Sequence, residues 1–221
     1  MNFMKMIKQM GWLLVALSGA SAFAATERLQ VGEQWAVCVY CGASDRTAAK
    51  YTEAAWEMGE AIARQRWTLV WGGSKTGLMG AVARGAKESG GRVVGVLPEF
   101  IRQWEVAYEE ADELMTVTTM HERKMLLQAR SDAFVILPGG LGTLDELGDT
   151  LELRALNLLK KPIVVVNQDG YYDALLAFLE RTVEEKFSRA EAREHLIVVR
   201  DVAEAVAALR RLQPVAGRTA P

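Results

Sequence analysis

A doubly wound parallel α/β sheet, Rossmann-like and confined to a single domain, is the fold class this sequence predicts, and three observations point to it. Short apolar runs rich in valine, isoleucine and tryptophan alternate with longer amphipathic segments, as buried parallel strands joined by crossover helices require. Glycine-bearing segments follow three of those runs, at 41–44, 72–80 and 139–143, where such a sheet presents the carboxyl ends of its strands and binds ligands. The 221 residues are 50% hydrophobic and 24% charged, enough to bury one sizeable core.

The opening residues differ from the rest. Lys5 and Lys8 precede an apolar run at 11–20, and Ala22-Phe23-Ala24 has the small-x-small pattern of a signal-peptidase site, so a signal peptide is expected over 1–24 and a periplasmic or secreted destination with it. An uncleaved anchor, or a start codon placed ahead of a cytoplasmic protein, are the alternatives. The uncharged interval 9–26 is barely long enough to span a bilayer and is weakened by glycine and serine. Cleavage would remove two lysines and no acid, leaving the mature chain more acidic than the formal −2 of the whole.

The domain proper is expected over 35–212. A strand at 35–40 leads into Cys38 and Cys41, the only cysteines. Their spacing puts them on opposite faces of a strand, which argues for packing rather than a bridge or a redox pair. A helix over 47–64 and a strand over 67–71 follow, then G-G-S-K-T-G, a helix over 77–89 closed by two glycines, and a strand over 92–97 stopped by Pro98. Beyond an acidic stretch at 105–113 come a strand at 114–117, a helix at 120–129 and a strand at 133–137. Helix 143–158, strand 163–166, helix 171–185, strand 196–199 and helix 202–212 complete the domain, with a frayed tail over 213–221.

Composition excludes several classes. A formal charge of −2, a pI near 5.8 and no basic tract give no electrostatic case for nucleic acid, or for an anionic membrane as partner of the mature form. Two histidines with no clustered acids or thiolates give no metal site. Neither G-x-G-x-x-G nor G-x-x-x-x-G-K-[ST] occurs, so hydride and phosphoryl transfer lack their signatures.

The stretch L-P-G-G-L-G-T-L-D-E at 137–146 carries the chemistry. A buried-strand pattern meets a helix start through Gly139, Gly140 and Gly142, and the first N–H groups of that helix lie at the positive end of its dipole, so an anion can be held without lysine or metal. A bland reading stands beside this one: T-L-D-E is also a capping box, in which Thr143 and Glu146 satisfy each other's backbone N–H. Arg123 and Lys124 have a bland reading too, since most E-R-K runs are solvated helix faces. His121, alone at a helix start, reads as a cap or packing residue.

P-G-G-L-G-T-L-D-E resembles the P-G-G-x-G-T-x-x-E signature of the Lonely Guy family, the cytokinin riboside 5'-monophosphate phosphoribohydrolases, often labelled lysine decarboxylase-like. Met120-His121-Glu122-Arg123-Lys124 resembles that family's M-x-x-R-K segment, Cys41-Gly42-Ala43-Ser44 its first-strand turn, W-G-G-S-K-T-G-L-M-G its glycine loop, and Asn167-Gln168-Asp169-Gly170-Tyr171-Tyr172 its N-x-D-G-Y-Y turn. The resemblance implies hydrolysis of the N-glycosidic bond of a nucleoside 5'-monophosphate, without a cofactor, releasing free base and ribose 5-phosphate. It assigns Glu146 and Arg123 as the catalytic pair and Gly139, Gly140, Gly142 and Thr143 to the 5'-phosphate, with Leu141 among the substrate-binding residues. Gly42, Ser44, Gly72, Gly73, Met120, Lys124 and Glu105 are placed around the substrate, and a homodimer is implied with the helix after the signature at its interface.

Three features depart from the family pattern. Glu152-Leu153-Arg154-Ala155 stands where members often read T-W-A-Q, Ser74 replaces a third glycine and offers a different phosphate contact, and the leader is unexpected for a hydrolase of cytosolic nucleotides. Lysine decarboxylation finds no support, because nothing marks a lysine desolvated for a pyridoxal Schiff base. A non-catalytic nucleotide or molybdenum-cofactor carrier on the same fold is the alternative; it needs the glycine cradle but not the Glu146–Arg123 pair.

Overall fold

The computed structural model describes residues 34–103, 106–189 and 194–214. The leader, Glu105 and the tail from 215 lie outside them. Strands β1 (Ala36–Tyr40), β2 (Thr68–Trp71), β3 (Arg92–Pro98), β4 (Glu113–Val117), β5 (Ala133–Ile136), β6 (Ile163–Val166) and β7 (Leu196–Val199) form one sheet, ordered β4-β3-β2-β1-β5-β6-β7. Every pairing is parallel. Between them run helices α1 (Ala49–Arg64), α2 (Gly77–Glu88), α3 (Met120–Ala129), α4 (Leu141–Ala155), α5 (Asp173–Glu184) and α6 (Val202–Leu212).

The strand pattern explains why both faces are covered. All five residues of β1 are buried, as are all four in each of β2, β5 and β6, so each strand must be packed from both sides. Val37, Val39 and Cys41 point into one layer with Met58, Ile62, Leu78 and Val82 of α1 and α2 and Leu209 of α6. Ala36, Cys38 and Tyr40 point into the other, with Leu127 of α3, Leu147 of α4 and Leu176 of α5. The two cysteines are free, buried and in opposite layers, and burial pushes both thiols up, which keeps them protonated and inert. Gly59 lets α1 and α2 approach closely: a Cβ there would lie 2.0 Å from the Val82 carbonyl oxygen.

Several boundaries differ from the sequence expectation, α4 for one ending at Ala155 rather than at 158, and four have a structural cause in view. Helix α1 starts at Ala49, because Thr47 turns back to the Ser44 carbonyl, to which its hydroxyl donates at 3.5 Å. Tyr171 and Tyr172 stay outside α5: they follow directly on a 3-10 turn at Gln168–Gly170 with positive φ at Asp169 and Gly170, and the helix begins at Asp173 with Tyr172 as its N-cap. Gln213, expected in the frayed tail, accepts from Trp67 Nε1 at 3.0 Å. The fourth boundary, the start of α4, reshapes the reading of the site.

The sheet order reverses between β1 and β5. From β1 the chain builds outward through β2, β3 and β4, then returns to the other side of β1 to lay down β5, β6 and β7. The loops leaving β1 and β5 therefore diverge to opposite faces and open a crevice between them, the position at which ligands bind in sheets of this kind.

Candidate active site

A cleft of about 500 Å3 occupies that crevice. Its walls are the loop after β1 (Gly42, Ala43 and Ser44), the start of α1 (Thr47, Ala48 and Tyr51), Leu78 and Met79 of α2, the loop Pro138–Gly140, and Tyr171; Arg123, Thr143 and Glu146 reach into it.

Three helix starts border the cleft or its rim, and their N–H groups meet different fates. At α2, Gly77 N donates to Asp45 Oδ1 at 2.6 Å, and Leu78 N and Met79 N both donate to the Gly42 carbonyl at 3.0 and 3.3 Å, so that terminus is satisfied by the protein. Helix α4 is different. Its N-cap is Gly140, which provides no side-chain cap, and its first backbone bond runs from Leu144 N to the Gly140 carbonyl. The N–H groups ahead of that bond remain for a ligand or solvent. A Cβ on Gly140 or Gly142 would meet no protein atom. Packing therefore does not demand glycine there, whereas close approach of an anion to the backbone does. The α1 start also has no side-chain cap.

Because α4 starts at Leu141 rather than at residue 143, the capping-box reading of Thr143 and Glu146 fails: Thr143 lies inside the first turn and is not the N-cap. Both residues are buried, at 4% and 6% overall exposure. The capping box sits on α3 instead, where Thr119 accepts from Glu122 N at 3.1 Å and Glu122 accepts from Thr119 N at 3.2 Å. That box is legible in T-M-H-E, and it fixes the start of α3 so that Arg123, one residue on, points inward.

Arg123 is not on a solvated face. Its side chain is 9% exposed, and Nη1 lies 3.2 Å from Oε1 of Glu146, itself 7% exposed. Nε donates to the Val96 carbonyl at 3.4 Å. Two charges this deep are held together only with partners that offset desolvation, and the protein provides them where the walls of the cleft meet. The bare backbone of Gly72 lets the guanidinium lie there: a Cβ at 72 would fall 1.9 Å from Arg123 Nη2 and 2.3 Å from Met79 Cε.

The other residues singled out from sequence divide by place. Gly42, Ser44, Gly139, Gly140, Gly142 and Thr143 border the cleft. Gly72 touches Arg123 and lies outside the lining. Gly73, at φ +81, packs against Leu97 and Leu114, and its carbonyl accepts from Tyr108 N at 3.0 Å. Leu141 is 85% exposed at the outer rim. Met120 starts α3 outside the lining. Lys124 bridges α3 to α4, 2.9 Å from Asp145 and 3.2 Å from Asp149. Ser74 is fully buried outside the cleft lining, with its hydroxyl 2.9 Å from that of Thr76, and it steadies the loop. Thr47, Tyr51, Met79 and Tyr171 were not anticipated. Of these, Met79 lay in the glycine loop W-G-G-S-K-T-G-L-M-G and Tyr171 in the N-x-D-G-Y-Y turn, while Thr47 and Tyr51 had no signal.

Among the described residues no lysine lines the cleft, and Lys124 is committed to two carboxylates. A pyridoxal Schiff base would have no amine to form on. Among the described residues no group of three or more histidine, cysteine or acidic side chains is arranged to hold a metal, and no helix is long and apolar enough to cross a membrane.

Comparison with known proteins places this geometry. The sequence model of a family described as "Possible lysine decarboxylase" matches residues 79–209. A cytokinin riboside 5'-monophosphate phosphoribohydrolase of Mycobacterium tuberculosis is 45% identical over 82% of this chain and 96% of its own length. One from Rhodococcoides fascians is 43% identical over 79% and 88%, and one from Arabidopsis thaliana 36% identical over 88% and 90%. Among solved structures, the molybdenum cofactor carrier protein of Chlamydomonas reinhardtii superposes with a TM-score of 0.63 at 25% identity, covering 81% of this chain and 98% of the carrier. A molybdenum cofactor binding protein from Rippkaea orientalis shares the fold, with a TM-score of 0.64 at 20% identity over 82% and 98%. With such identity along most of its length, and with the signature glycines, Arg123 and Glu146 gathered at one switch point, the chain belongs to the Lonely Guy family.

Proposed function

We propose that the protein hydrolyses the N-glycosidic bond of a nucleoside 5'-monophosphate, a cytokinin riboside monophosphate or AMP, to free base and ribose 5-phosphate. The observation that carries this reading is the buried Arg123–Glu146 pair beside the uncapped start of α4. The 5'-phosphate is held by the N–H groups of the 140–143 segment at the positive end of the α4 dipole. That anchorage sets the ribose above Glu146, one turn further along the same helix. As the bond from C1' to the base stretches, positive charge develops on the ribose, and the fixed carboxylate of Glu146 stabilises it. Arg123, 3.2 Å away, pairs with that carboxylate and orients it. Water adds its hydroxide to C1' and its remaining proton goes to the departing base. This chemistry uses no cofactor.

The relatives named as phosphoribohydrolases support this reaction, and the likeness to molybdenum cofactor carriers supports the second reading, a carrier on the same fold. A carrier has no use for a buried carboxylate paired with arginine at the floor of its cleft, which favours the enzyme. The test is incubation of the purified protein with AMP and with isopentenyladenosine monophosphate, followed by assay for free base. Release of base establishes the hydrolase; binding without release establishes the carrier. We further propose a homodimer with α4 at its interface, and export directed by residues 1–24. Cell fractionation with sequencing of the mature N-terminus tests the latter.

A further inference from the structure

Three successive carbonyls lead into the anion cradle, and each is bonded. The Leu137 carbonyl accepts from Tyr172 Oη at 2.7 Å, the Pro138 carbonyl from Gly42 N at 3.1 Å, and the Gly139 carbonyl from Tyr171 Oη at 2.7 Å. The last of these matters most. The Gly139–Gly140 peptide joins two glycines, so its plane can rotate at little steric cost. In a trans peptide the carbonyl and the following N–H point in opposite directions, so the bond that draws the Gly139 carbonyl toward Tyr171 also aims Gly140 N–H the other way. Without that bond the same plane can turn an acceptor toward the anion site.

The tyrosine is built to hold this position. The turn at Gln168–Gly170, with positive φ at Asp169 and Gly170, delivers it. Its ring meets Tyr51 edge-on at 5.6 Å and Tyr172 at 5.0 Å, and Asn167 Oδ1 accepts from Tyr172 N at 2.7 Å. We propose that Tyr171 is a positioning residue for the 5'-phosphate: it touches no reacting atom, and its hydroxyl fixes the Gly139–Gly140 peptide with the N–H side toward the anion. The inference rests on the reading of the 140–143 segment as a phosphate cradle.

Tyr171→Phe removes the hydroxyl and keeps the ring. By calorimetry the variant is expected to bind ribose 5-phosphate and AMP roughly tenfold more weakly than the wild type, the order of one lost hydrogen bond. Binding of adenosine, which has no phosphate, is expected to be unchanged, and the thermal midpoint to stay within a few degrees. In turnover the loss falls on KM, with kcat retained. A merely structural role would weaken AMP and adenosine alike. Wild-type affinity for ribose 5-phosphate in the variant, or equal losses for AMP and adenosine, overturns the proposal. The binding measurement needs no turnover, so a protein that binds AMP but releases no base refutes the proposed reaction while the affinities still judge Tyr171. If the wild type binds neither phosphorylated ligand, the cradle and this inference fall together.

Discussion

Glu146 and Arg123 illustrate how far one side chain's meaning depends on where its helix begins. With α4 starting at Leu141, Glu146 is drawn off the capping position and into contact with Arg123. Glu146→Gln keeps its shape and removes its charge, so AMP affinity should hold within a few-fold while base release falls roughly a hundredfold or more. Single-turnover base release beside calorimetric AMP binding checks this, and wild-type turnover in the variant would exclude Glu146 from the chemistry. The thermal midpoint should drop as well, since Arg123 is left buried without its counter-charge. Gly72 acts on the same pair from outside the cleft. Gly72→Ala puts a methyl where Arg123 Nη2 and Met79 Cε now lie, so the guanidinium must move off Glu146. Base release should fall at least tenfold with binding of ribose 5-phosphate preserved.

Among the elements, the sheet was the most legible. Its central strands β1, β2, β5 and β6 are short runs buried along their whole length and made mostly of apolar residues, valine foremost, a signal that survives without tertiary context. Helix starts were less legible, because a capping motif is local and two candidates can compete. T-L-D-E at 143–146 has the right letters in the wrong place, while T-M-H-E at 119–122 makes the box. What separates them is the preceding glycine pair, which lets α4 begin early. The seam between α2 and β3 carries a testable electrostatic device. Asp112 accepts from Val93 N at 2.7 Å and pairs with Lys87 at 2.9 Å. Burial works against its charge, but Lys87 and the Val93 N–H outweigh burial and hold the carboxyl below its ordinary value. A depressed folded-state value adds stability that is complete above the ordinary pKa of about 4 and is lost as pH falls through the folded value. The urea midpoint of the wild type should therefore decline on acidification below about pH 4, and Asp112→Asn should flatten that decline. An identical decline in the variant would assign the acid sensitivity elsewhere.

At the scale of the whole molecule, the surface of α4 remains to be accounted for. Leu141 and Leu144 are exposed on it at 85% and 44%, Met125 of α3 at 46%, and Leu156 and Leu158 just beyond α4 at 56% and 50%. A Cβ on Gly148, on the same helix, would meet nothing. Exposed apolar side chains gathered on neighbouring elements are costly in water and are characteristic of an interface. Sedimentation at micromolar concentration should give a dimer for the wild type, and Leu144→Asp should shift it toward monomer; a wild type that sediments as monomer refutes the assembly.

Arg123 and Glu146 were singled out by resemblance to the family, their local letters reading equally as a solvated helix face and a capping box; what the sequence by itself determined is the α/β class, the succession of strands and helices along the chain and the glycine-bearing loops. Each of these is written in contiguous letters, because burial periodicity and loop chemistry act over a few residues. Tertiary structure alone decided which roles survive. It put the reversal of strand order between β1 and β5, brought Arg123 of α3 across to Glu146 of α4, consumed the α2 terminus with Asp45 while leaving the α4 terminus open, and set Tyr171 against Gly139. Those contacts join residues far apart in the chain, and their energies depend on desolvation and distance, neither of which exists until the sheet has closed around them.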